Sequence, residues 1–103
     1  MKEIKCLIED IEEEIEGAEH YAKLATEYKE SDHQLADCYA KLAGVELEHV
    51  NSLHEQIVRL IKQHTDKGNE IPAGMKAVYE WEHSKMIDNV SRIKSMISLY
   101  RGN

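Results

Sequence analysis

The sequence predicts an all-α protein: three long helices in an up-down-up antiparallel bundle, completed by oligomerisation. Three observations carry this expectation. Apolar residues recur at three- and four-residue spacing through three long stretches. Pro occurs once and Gly five times, while Glu, Lys, Ala, Leu and Ile dominate, a composition that favours helix over sheet. A chain of 103 residues makes one domain, 1–103, whose modest core a second copy would enlarge.

The first helix is expected over about residues 2–29. Its apolar positions are Ile4, Leu7, Ile8, Ile11, Ile15, Ala18, Tyr21, Ala22, Ala25 and Tyr28. Ser31-Asp32-His33-Gln34 then reads as a capping box, with Ser31 as N-cap and Gln34 reaching back. The second helix is expected over about 32–65. Lys62, His64 and Lys67 lie near its end, where cations suit the helix dipole. Gly68 is the candidate left-handed cap that stops it. Pro72 sits where a first helical turn accepts proline, so the third helix is expected over about 72–100.

The second helix carries two apolar faces. One holds Leu35, Tyr39, Leu42, Leu53 and Leu60; the other holds Val50, Ile57, Val58 and Ile61, with Leu47 beside it. A helix with two such faces touches partners on both sides, which makes it the expected central helix. Short connections make both neighbours antiparallel to it.

Composition excludes several functions. A formal net charge of −7 argues against nucleic acid as a partner, because phosphate binding needs a basic surface. No apolar run is long enough to span a bilayer. The first residues turn acidic at once, unlike a signal peptide. Cys6 and Cys38 form no Cys-x-x-Cys pair and fall on different helices at different heights. Two free thiols and a cytoplasmic location are the expectation. Trp81, Met75, Met86 and Met96 read as packing or interface residues. His20, His33 and His64 read as surface residues.

Three polar residues interrupt the apolar stripes. Glu14 lies on the line Leu7–Glu14–Tyr21–Tyr28, and Glu46 and His49 fill the gap in Tyr39–Leu42–Glu46–His49–Leu53. A carboxylate in a core slot costs several kcal/mol unless it is paired or metal-bound. The heights also agree. Glu14 lies about 16 residues before the first turn and Glu46 about 15 after it, so at ~1.5 Å per residue they are level. His49 is one turn further along the face of Glu46. Carboxylates bridge hard cations, and imidazole completes the ligand set of borderline ones such as ferrous iron. The residues leave two readings open: a metal site, or a hydrogen-bonded polar layer at a solvated bundle edge.

The Glu-x-x-His string occurs three times, at Glu30–His33, Glu46–His49 and Glu80–His83. Only the second coincides with core-facing slots and a level carboxylate opposite. His83 falls near the level of His54, which makes His54, Glu80 and His83 a second candidate metal set beside the simpler reading of paired or partly exposed histidines.

On these residues the chain resembles the ferritin-like superfamily. The segment IEEEIEGAEHYAKLA, about 20 residues, then KLAGVELEHVNSLHEQI is similar to the first helix pair of rubrerythrins, and closer in scale to the encapsulated-ferritin-like proteins. The similarity covers about residues 8–60. It implies a metal site at Glu14, Glu46 and His49, with Tyr21 in the surrounding shell and iron, manganese or zinc as the bound cation. It also implies oxidation of ferrous iron as the reaction. A full ferritin-like bundle has four helices and two such ligand groups. Two copies of this chain, paired about a twofold axis, would supply them. The alternative, with Glu80 and His83 completing the site within one chain, suffers a height offset of ~6–10 Å or more. The whole chain also looks like short proteins of unassigned role from bacterial and prophage genomes. A non-catalytic helical interaction or phage-associated structural protein is therefore the competing expectation.

Overall fold

A computed structural model describes residues 2–102. Helix α1 spans Lys2–Tyr28, α2 spans His33–Asp66 and α3 spans Ala73–Arg101. They form an elongated all-α bundle of 57 × 20 × 17 Å, with α2 antiparallel to α1 and α3. No described helix is long and apolar enough to cross a membrane.

The expected helices form, with differences at their ends. The α2 N-cap is Asp32, not Ser31: its carboxylate accepts a hydrogen bond from the Leu35 backbone N–H at 3.1 Å. Ser31 is consumed by the turn, because the Asp32 N–H returns to the Tyr28 carbonyl at 2.9 Å. Gln34 is therefore not the reciprocal partner of a capping box. At the far end Gly68 does take the left-handed conformation, at φ 80°. Its N–H donates to the Thr65 carbonyl, and that of Asn69 donates to the His64 carbonyl, which is a Schellman closure. Pro72 is the α3 N-cap rather than a first-turn residue, since its extended ψ of 138° lies outside the helix.

The central helix is α1, not α2. Ala18, Ala22 and Ala25 of α1 and Ala36, Ala40 and Ala43 of α2 are all buried. Small side chains let the two backbones close tightly, so α1 and α2 form one intimate pair along their length. The core continues through Ile4, Ile11, Ile15, Leu47, Val50 and Ile57. Helix α3 leans on this pair mainly through α1 and scarcely touches α2. Its buried residues, Ile93, Ile97 and Tyr100, all lie in its C-terminal half.

This arrangement corrects the reading of the α2 faces. The buried face is the one with Leu47, Val50 and Ile57, extended by the alanines. The face of Tyr39, Leu42 and Leu53 lies along the open edge of the pair: Tyr39 and Leu53 are half-buried and Leu42 is exposed. Val58, assigned to the other face, is exposed as well.

Candidate metal centre at the open edge

Glu14, Glu46 and His49 converge, as their heights predict. One ligand atom from each lies within 4.8 Å of the other two, the one such group of three among the described residues. His49 Nδ1 stands 3.3 Å from Glu14 Oε2, a hydrogen bond in the tautomer that carries its proton on Nδ1. The trio bridges α1 and α2 near the middle of the pair.

Its surroundings differ from the expectation. The side chains are not in core slots: Glu14 is 29 % exposed and His49 is 52 % exposed. No charged or polar residue is fully buried among the described residues. The physical reason is the alanine seam. It draws the two backbones together and turns the Glu14 and Glu46–His49 lines outward to the rim.

The two carboxyl groups bias each other's ionisation in opposite directions. The hydrogen bond between them holds Glu14 below the usual carboxylate range, assisted by His49 and opposed by partial burial. The same bond, followed by partial burial, pushes Glu46 above that range. Two like-charged groups stay together when one remains protonated. Gly17 makes room for Glu46, because a Cβ at that position would sit 3.3 Å from Glu46 Oε2.

This donor set fits a divalent cation. Two oxygens and one nitrogen suit borderline metals such as ferrous iron, manganese or zinc. A cation between the two carboxylates would relieve their repulsion. Donor separations near 3 Å are needed around one ion, and rotamer adjustments of these half-exposed side chains can supply them. Three donors leave coordination positions open.

The flanks of the site are aromatic on one side and aliphatic on the other. Tyr21 follows Glu14 by two helical turns and stacks on Tyr39 with ring centroids 5.9 Å apart; Tyr39 in turn stacks on Tyr28 at 6.1 Å. Leu7 and Leu53 stand at the other side, both half-buried.

The second candidate set is only partly assembled. His54 and His83 meet as parallel rings, with centroids 4.9 Å apart and planes 5° apart. Glu80 is exposed and does not join them. Glu12, Glu16, Glu19 and Glu82 line the same α1–α3 cleft of about 170 Å³, and of these Glu12 and Glu82 pair with each other. Glu12 is pushed above the usual carboxylate range chiefly by a hydrogen bond with Glu82. These two acids were missed at the sequence level. Glu12 lies within the acidic run Glu12-Glu13-Glu14, where nothing in the pattern singles it out.

Other expectations resolve simply. Cys6 and Cys38 are free and exposed. His20 and His33 are exposed and His64 is half-buried. Met75, Met86 and Met96 are half-buried. Trp81 is 61 % exposed, with Lys85 Nζ 4.9 Å from its ring centroid, so it is not a core residue.

Against family models, curated proteins and solved structures the chain gives no match, so the reading of the site rests on its own residues.

Proposed function

We propose that this chain is a ferritin-like metal-binding protein whose Glu14, Glu46 and His49 hold a divalent cation, iron foremost, with oxidation of ferrous iron as its reaction. The observation that carries this is the convergence of the three donors from two helices, with their ligand atoms within 4.8 Å of one another. Glu14 and Glu46 chelate or bridge, and His49 supplies the nitrogen ligand. Ferrous iron held by Glu14, Glu46 and His49 would give up one electron to an oxidant such as oxygen and leave as ferric iron. The chain supplies charge neutralisation, orientation and, through Tyr21 and Tyr39, an aromatic wall.

Two copies meeting at the α1–α2 edge would complete the site. Three donors are half of the set that carboxylate-bridged bundles use. The open edge carries the trio between half-buried tyrosines and leucines, a composition suited to a twofold contact. Addition of ferrous iron to the apo-protein in air tests the reaction. Oxygen uptake above that of buffer, lost in Glu46→Ala with His49→Ala, is the expected result. Uptake equal to buffer removes the enzymatic claim.

A second reading has its own observation. His49 hydrogen-bonds Glu14 directly, and the side chains of the trio are partly exposed. On this reading the chain is a helical interaction or phage-associated structural protein, and the alanine substitutions leave assembly and metal content unchanged.

A further inference from the structure

The N-terminal half of α3 is lightly held. From Ala73 to Val90 no side chain is fully buried. The C-terminal half is pinned instead, by Ile93 and Ile97 in the core and by the Tyr100 hydroxyl donating to Asp37 at 2.5 Å. Arg92 adds a two-pronged ion pair to Glu19, at 2.8 and 3.1 Å. Because α3 scarcely touches α2, the stack of His54 on His83 stands out as a cross-link between them. Tyr79 extends that stack, its ring 3° from the His83 plane.

His54 is suited to this role only while neutral. Its Nε2 is sealed from solvent and has no hydrogen-bond partner among the described residues. A neutral imidazole tolerates one unpaired lone pair, whereas an imidazolium must donate from both nitrogens. An unpaired buried cationic donor is far more costly than an unpaired neutral acceptor. Two protonated rings in parallel contact would also repel. We propose that the His54–His83 stack is an acid-sensitive latch: it fastens the N-terminal half of α3 to α2 at neutral pH, and its protonation frees that half and widens the α1–α3 cleft.

The charged groups around the stack do not rescue the protonated form. From α1, Glu12 is hydrogen-bonded to Glu82 of α3, and Glu19 is taken by Arg92; Glu16 is exposed at the cleft rim. From α3, Lys85 lies 3.9 Å from Glu12 and 4.0 Å from Glu82, occupying the same carboxylates. The Tyr79 hydroxyl stays neutral, pushed up by burial. Burial, then His83, lowers the His54 pKa from 6.5, and Glu55 on α2 opposes this weakly. The sign follows. A depressed histidine contributes fully above its unfolded value and loses its contribution as pH falls through the lowered folded value.

Hydrogen exchange on the full chain at about pH 7.5 and about pH 5, corrected for intrinsic rates, tests the latch. Amides of residues 74–88 should lose at least tenfold in protection at the lower pH, while those around Ala18 and Ala22 keep theirs. His54→Phe preserves a flat ring without a titrating proton and should abolish the change. An equal loss in His54→Phe, or no loss in the unaltered chain, overturns the proposal. Should His54→Phe fail to fold by circular dichroism, His83→Phe is held to the same two outcomes.

Discussion

Glu14 on α1 and Glu46 on α2 meet within 4.8 Å across the open edge of the helix pair, and His49 Nδ1 approaches the same Glu14 at 3.3 Å. Two acids so close repel when both are ionised, and the pair holds Glu14 below and Glu46 above the usual carboxylate range. A cation entering this site competes with protonation of Glu46, which makes binding pH-dependent.

Metal affinity should therefore rise with pH. Glu46 carries the raised pKa, so below that value each cation must displace about one proton, and affinity should climb up to about tenfold per pH unit before levelling off. Calorimetry in two buffers of different ionisation enthalpy would count the released protons. Release near zero across the acidic range would contradict a Glu46 that titrates above the usual carboxylate range.

Gly17→Ala should separate stability from binding. Alanine favours the helix over glycine by about 1 kcal/mol. Its Cβ, however, would lie 3.3 Å from Glu46 Oε2 and push the carboxylate aside. The expected outcome is a thermal midpoint equal to or above that of the unaltered chain, with metal affinity reduced several-fold. Unchanged affinity would show that Glu46 is not held where the site needs it.

The alanine seam should be intolerant of bulk. Ala43 is fully buried in the core. Ala43→Leu should destabilise the chain by about 1–3 kcal/mol, since extra methylenes in a packed contact force backbone shifts. Urea unfolding followed by circular dichroism measures this directly.

Acid should weaken the α1–α3 contact through one ion pair. Arg92, then Lys23, holds Glu19 down to about 2, from an ordinary 4.5. A depressed carboxylate contributes stability that is complete above 4.5 and lost as pH falls through about 2. Glu19→Gln should flatten this part of the stability–pH curve and leave the neutral-pH site residues in place.

The helices were legible because their periodicity and punctuation are local. The Schellman closure at Gly68 followed from one glycine after a helical run. The level meeting of Glu14, Glu46 and His49 followed from counting residues on either side of a short turn. The packing order was not legible in the same way. Large apolar residues on α2 suggested a central helix, but Ala36, Ala40 and Ala43 decide where the backbones close, and small residues weigh little in a pattern of hydrophobic size. That seam places the trio at the rim, the solvated edge that the sequence left open beside a core position. Glu82, rather than Glu80, faces the cleft for a related reason: α3 contacts α1 more than α2, which rotates the relevant face.

Metal binding to the purified apo-protein, by calorimetry near neutral pH with ferrous iron under anaerobic conditions, tests the central claim most directly. The account predicts saturable binding of about one cation per chain if two copies build a paired site, and a loss of at least tenfold in affinity in Glu46→Gln and in His49→Ala. No saturable binding, or binding unaltered in both variants, would contradict it.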